Sequence, residues 1–455
     1  MGTDGTHTSP WSIDRTLLLP KVLYFVQCGA NVCYLPFLGI WLLSIGLKPP
    51  EIGQIAALRY LMILFGAPFW AFIADHFYAH KQVLILVIVM SVITRMAMPF
   101  IGGSSLILLM CATVSSDFFY SIIAPMLDRT ALYILGDDRK DMFGRQRLWG
   151  TISWGALSVP VGSFVAYIDD SKWYFYLYAI LSCIMVALLI PAPISAAKGG
   201  PPFWKGLKFL GRPRAAAFYF CMVMVGCCNG LISNFLFVHL KSLHAEPALM
   251  GLTLTVNCLT EIPCLFFSGV ILKKVTPQGG ILLAAIAFII RFFDYYLITN
   301  PYHCLIVEPL HGISFGIMFA SAVRIASELV PSNLSTTAQG LLAGMTGLGG
   351  MIGAILGGYI YESFKAKVFL FAMIAPTLII IVFSPLALMD YLTFRRSTSN
   401  YGKLQTGNEE EFEMKREERV DEPVVLNDLQ PRHTRMDKLF IACHRIISAH
   451  LYLII

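Results

Sequence analysis

The sequence predicts an all-α integral membrane protein: twelve transmembrane helices in two pseudo-symmetric six-helix bundles. Three observations carry this prediction. First, 56% of the 455 residues are hydrophobic and only 14% are charged, which is too apolar for a soluble domain and calls for membrane-spanning helices. Second, about twelve apolar stretches of spanning length fall into two sets of six, divided by the basic loop Ser195–Arg214. Third, the same mark recurs in each set. After the second span the chain reads Ala71-Phe-Ile-Ala-Asp75-His-Phe-Tyr-Ala-His-Lys81; after the eighth it reads Gly269-Val-Ile-Leu-Lys273-Lys274. A small residue stands four before a charge in both, and Gly53 and Gly251 each precede that small residue by eighteen. Duplicated six-span halves are the build of a transporter whose site lies between them.

The first six spans begin near Pro20, Ile52, Gln82, Ser104, Gln146 and Trp173, and the second six near Ala215, Leu249, Gly279, Tyr302, Ser335 and Val368. Helices are the expected spanning element because each satisfies its own backbone hydrogen bonds in lipid. The expected organisation is a cytosolic N-terminus (1–19), a first bundle (20–194), a cytosolic linker (195–214), a second bundle (215–394) and a cytosolic tail (395–455).

Orientation follows from Lys and Arg in the short loops. With the N-terminus inside, sixteen of them up to Arg396 lie on the inner side, against five (Lys48, Lys172, Lys241, Lys365 and Lys367) on the outer side. Both termini are therefore expected in the cytosol, in the plasma membrane or an organelle membrane. The net charge of +6 reflects this topology and gives no reason to expect nucleic-acid binding.

The N-terminus shows no signal-peptide pattern. Met1-Gly-Thr-Asp-Gly-Thr6 superficially fits a myristoylation start, which would add little to twelve spans. The eleven cysteines lie mostly inside spans and read as free buried thiols; no spacing suggests a metal site, and no cofactor is expected. Asn333-Leu-Ser335 is a formal glycosylation sequon, but it falls in an expected inner loop and should be unused. In the linker, Phe203, Trp204, Leu207 and Leu210 share one helical face, as a small helix on the inner leaflet would, although an irregular basic linker fits nearly as well. The acidic tail, with Glu409, Glu410 and Glu411, reads as disordered and available to a cytosolic partner. The segment Met436–Ile455 reads as an amphipathic surface helix, since a thirteenth span would place Arg445 near mid-membrane. Spans 5 and 11 are glycine-rich, which suits either gating helices or simple close packing.

An ionisable side chain within a span is a functional candidate, because leaving it in hydrocarbon costs about 2.5–3.5 kcal/mol or more. Glu308 and His311, three apart in span 10, are expected on one helix face within reach of each other. Histidine changes charge near neutral pH, so the pair is the first candidate for proton coupling, together with Asp117 in span 4. A buried structural pair is the competing reading. Arg59 either binds a substrate carboxylate or phosphate, or neutralises Asp117 from the neighbouring span. Arg291 and Asp294 are expected to pair locally near the outer surface. Glu261 stands beside the helix-disrupting Pro263. With Arg59, Asn31, Asp128 and Asn257, it is a candidate for binding a small polar solute. Asp75 is a candidate latch at the inner end of span 2, with Arg145 and Arg147 as expected partners.

At these residues the chain resembles the major facilitator superfamily. The segment from Ala71 resembles that family's Gly-x-x-x-Asp-(Arg/Lys)-x-Gly-x-(Arg/Lys)-(Arg/Lys) signature, with Ala71, His76 and Tyr78 departing from it. Further strings resemble its lactose-permease-like "associated" branch: Gly66-Ala-Pro-Phe-Trp70, Pro125-Met-Leu-Asp128, Gly144-Arg-Gln-Arg-Leu-Trp-Gly150, Gly251-Leu-Thr-Leu, Glu261-Ile-Pro263, Glu308-Pro-Leu-His311-Gly312 and Thr337-Ala-Gln-Gly340. The resemblance covers about Leu17 to Tyr391. It implies the major facilitator fold and a secondary transporter, not an enzyme. Lactose permease also uses a nearby His and Glu of span 10 in proton coupling, in the reverse order. The alternative class is a non-transporting receptor or adaptor that acts through the tail. No catalytic spacing such as His-Glu-x-x-His or Gly-x-Ser-x-Gly is present.

Overall fold

A computed structural model describes residues 17–136, 139, 142–192, 212–330, 335–385 and 387–388. The described residues form one compact unit. The expected linker helix, the sequon at Asn333, the acidic tail and the Met436–Ile455 helix fall outside the described residues or, for the sequon, at their edge.

Twelve helices follow one another among the described residues. They are α1 (Leu18–Ser44), α2 (Pro49–His76), α3 (His80–Ile101), α4 (Leu106–Leu135), α5 (Phe143–Ile168), α6 (Trp173–Leu189), α7 (Pro213–Ser242), α8 (Pro247–Phe266, continued by Ser268–Val275), α9 (Pro277–Leu297), α10 (Pro301–Glu328), α11 (Ser335–Phe364) and α12 (Val368–Ala372, continued over 374–385). Most are long and apolar enough to cross a membrane. The apolar run Ala338–Pro385 is broken between α11 and α12 at Lys365, whose φ is +49°. Local chemistry sets several ends. Pro49, Pro213, Pro247 and Pro277 open helices, where a missing N–H costs nothing. The backbone N–H of Lys48 donates to Glu51 Oε2 (2.7 Å) and closes the start of α2. Asp169 ends α5 in the left-handed region.

The first six helices meet the last six where α1 touches α7, with Gly39 against Asn234, and along two longer seams. In one, α2 crosses α11: Gly358 packs on Pro49, Gly53 on Ala354, and Gly350 on the Tyr60 ring. Gln54 Nε2 also donates to Tyr359 Oη across this seam (3.0 Å). In the other seam α5 crosses α8. Gly162 packs on Pro247, and Gly251 on Ser158. Thr255 Oγ1 donates to the Gly155 carbonyl (2.7 Å). A Cβ at Gly53 or Gly251 would collide with the backbone it faces, so glycine is what lets these helices touch. The seams join the early turns of α2 and α8 to the late turns of α5 and α11. Towards the other end the helices are uncovered: Phe65 and Phe72 of α2 are 61% and 64% exposed, and a Cβ at Gly144 or Gly347 would meet nothing within 4 Å.

Candidate functional site

Two clusters of buried charge lie within the helices, one in each set of six. In the first, α4 carries Asp117, whose side chain is almost wholly buried. Arg95 of α3 donates from Nη2 to Asp117 Oδ1 (3.0 Å) and from Nε to Ser116 Oγ (2.7 Å). The rings of Tyr34, Tyr120 and Tyr178 surround its guanidinium, with centroids 4.4–4.6 Å away, a favourable setting for a desolvated cation. Arg59 of α2 donates from Nε to Asp117 Oδ2 (2.9 Å). Gly66 makes room for this arrangement by letting α2 approach Phe118 and Ser121 of α4. Asn31 of α1 donates from Nδ2 to Tyr120 Oη (2.6 Å). Arg95 escaped the sequence reading, although the cost argument that singled out Arg59 applies equally to an arginine inside the apolar span 3.

The second cluster gathers on α8, α9 and α10. Arg291 of α9 donates from Nη2 to Glu308 Oε2 (2.9 Å), from Nη1 to Ser314 Oγ (2.9 Å) and from Nε to Tyr295 Oη (3.0 Å). Tyr295 Oη donates in turn to Glu308 Oε1 (2.6 Å). His311 Nδ1 lies 3.3 Å from Arg291 Nη1, and its Nε2 lies 3.6 Å from Glu261 Oε2 on α8. The His311 ring stacks on Phe315 at 5.3 Å. Gly312 packs directly on Thr260 and Cys264, which brings α10 against α8 and His311 to Glu261. Asn257, one turn before Glu261, has a buried Oδ1 without a hydrogen-bond partner.

Two sequence expectations are corrected here. Glu308 and His311 form no direct ion pair; Arg291 stands between them. The expected contact assumed regular α winding, but Glu308–Leu310 is a 3₁₀ turn and Gly312–Ile317 a π-helix. Pro309 lacks the N–H that regular winding would use, and π segments of this kind cluster at functional sites. Arg291 likewise does not pair with Asp294, whose Oδ2 is buried without a partner. The guanidinium turns inward to Glu308 instead.

The remaining candidates sit apart from both clusters. Asp128 accepts from Tyr24 Oη (2.6 Å) and lies 3.7 Å from Arg147. Asp75 lies 2.8 Å from His80 Nε2 and accepts from Arg129 Nη1 (3.0 Å). Its partners are thus His80 and Arg129 in place of Arg145 and Arg147. Arg147 on α5 is taken up by Asp128, and Arg145 is exposed.

The two clusters differ in charge. The first sets two guanidiniums against one carboxylate. The second sets one guanidinium and a titratable histidine against two carboxylates. Such groups suit binding, charge balance and proton transfer, and none forms a nucleophile–base constellation of a hydrolase.

Comparison with known proteins agrees with this architecture. "Major facilitator superfamily domain-containing protein 6-like protein B" of Xenopus laevis is 24% identical over 252 residues, covering 51% of this chain and 40% of that protein. The chain spans less than half the length of this relative and of its human counterpart. A maltose permease of Geobacillus stearothermophilus is 24% identical over 384 residues, covering 83% of this chain and 96% of the permease. In three dimensions the chain is similar to the nucleoside transporter NupG. The TM-score is 0.69 at 18% identity, over 81% of this chain and 98% of that structure, and a mutant form of the same transporter gives 0.72. The model of the MFS_1 like family matches residues 17–373. This chain is therefore a multi-pass integral membrane protein belonging to the MFS_1 like family, within the major facilitator superfamily of transporters.

Proposed function

We propose that the protein is a secondary transporter that moves a small polar solute by alternating access and couples it to protons through α8–α10. One observation carries this reading. Glu308 is paired with the Arg291 guanidinium and Glu261 with His311, so the two carboxylates have one fixed cation between them and balance only when a proton joins the cluster. His311 stands between Arg291 and Glu261 and is the natural group to pass that proton on. Buried charge is costly unless balanced, so loading and releasing a proton changes which arrangement of the two halves is favoured. In this reading Glu308, His311 and Glu261 form the coupling group. Asp117, clamped by two arginines, holds Arg59 in place.

The solute site lies among Asn31, Arg59, Asn257 and Glu261, between the two sets of helices. Asp128 and Arg147 belong to the uncovered end, as do Asp75, His80 and Arg129. There they latch that end when it closes. By the distribution of Lys and Arg this end is cytosolic, so the arrangement described is closed outside and open inside.

The test is uptake into proteoliposomes with and without an inward proton gradient. Glu308→Gln and His311→Asn, singly and together, should reduce gradient-driven uptake to the rate seen without a gradient. Uptake that still follows the gradient in normally folded double variant sinks the coupling assignment.

A further inference from the structure

The α2–α4 cluster holds one more positive charge than its carboxylate can balance. Asp117 accepts from Arg95 on one oxygen and from Arg59 on the other, and either arginine alone would neutralise it. Arg95 is committed on every side: to Ser116, to Asp117 and to three tyrosine rings. Arg59 is committed only through Nε. Among the described residues its two terminal amino groups have no acceptor, although its side chain is only 13% exposed. The polar neighbour Asn31 is already engaged with Tyr120 and carries no charge. A desolvated guanidinium without a balancing charge is unfavourable until an anion meets it. The planar fork of two terminal N–H groups matches a carboxylate in a bidentate pair.

We infer that Arg59 anchors a carboxylate of the transported solute, so that the solute is a monocarboxylic acid carried as its anion. The inference rests on the transport reading of the same site. One surplus positive charge matches one negative charge, which favours a monoanion over a phosphate dianion. The uncharged part of the solute would then extend towards Asn257, whose buried Oδ1 lacks a donor and suits a hydroxyl or amide N–H.

The test is solute exchange by the full chain in liposomes with no proton gradient, so that coupling plays no part. The panel pairs monocarboxylates with their carboxamides and adds neutral sugars and nucleosides. Monocarboxylates should exchange, and the matching carboxamides should compete at least ~30-fold more weakly. Arg59→Gln should erase that preference, while Arg59→Lys, which keeps the charge and loses the fork, should retain part of it. Arg95 still neutralises Asp117 in both variants, and thermal unfolding checks that each is folded. If sugars or nucleosides exchange instead, or if Arg59→Gln leaves the preference for carboxylate intact, the inference fails and the transport reading stands. If folded protein exchanges no solute at all, the transport reading fails and takes the inference with it.

Discussion

The two buried clusters use the same parts at equivalent places. In each set of six, an arginine on the third helix reaches a carboxylate on the fourth, and a serine of that fourth helix takes another of its N–H groups. These are Arg95, Asp117 and Ser116 in the first set, and Arg291, Glu308 and Ser314 in the second. What differs is the company each pair keeps. The first has a second arginine, Arg59, on its carboxylate. The second has a second carboxylate, Glu261, reached through a histidine. One frame thus carries a second guanidinium in one half and a second carboxylate, with a histidine, in the other. In the proposed reading the first holds the solute's anion and the second takes up the proton.

This contrast predicts unequal costs for equal mutations. Arg291→Met leaves Glu308 buried with only Tyr295 Oη as a donor, and should cost about 3–5 kcal/mol of stability, as breaking a buried pair does. Arg95→Met leaves Asp117 still bonded to Arg59, and should cost less, about 1–3 kcal/mol, because its carboxylate keeps a partner. Unfolding in detergent compares the two directly. Equal losses would mean that Arg59 does not support Asp117, and the surplus-charge account of the first half would go with it.

The seams give a second, smaller effect. Valine at Gly53 or Gly251 would strike the backbone of Ala354 or Ser158. Overpacking of this kind should disfavour the arrangement closed at the Pro49 end by about 1–3 kcal/mol and slow exchange. Gly144→Val, where a Cβ meets nothing within 4 Å, should leave that arrangement untouched. Labelling of a cysteine introduced at the Ala354 seam would show whether the closed end has opened. Unchanged labelling in Gly53→Val would remove the seam from the mechanism. Truncation after Arg396 should have the smallest effect and leave exchange unchanged. A truncated chain that folds but no longer exchanges solute would favour a role centred on the tail.

Much of the fold was legible in the sequence because span length, apolarity and helix starts are local properties. The expected starts near Pro20, Ile52, Leu249 and Gly279 fall within a few residues of the observed Leu18, Pro49, Pro247 and Pro277. Arg59 and Asp117 were legible as a pair for the same reason: two charges in adjacent spans have few other ways to be satisfied. The rest depends on winding and rotation that no spacing rule encodes. The 3₁₀ and π turns around Pro309 and Gly312 turn His311 towards α8 and admit Arg291 beside Glu308. Arg291 had an acidic neighbour at Asp294, yet it faces inward, because the orientation of α9 is set by packing against α10. Likewise Asp75 met Arg129 instead of Arg147, since Arg147 had its own partner in Asp128.

The division of labour between the halves is best tested by measuring proton-driven accumulation and gradient-free exchange side by side in Arg59→Gln and Glu308→Gln. The account predicts that Arg59→Gln weakens both activities for monocarboxylates to the level of the matching carboxamides, because it removes the solute's anchor. It predicts that Glu308→Gln keeps exchange and loses only the response to the gradient. A folded Glu308→Gln protein that still concentrates solute when protons drive it would contradict the account.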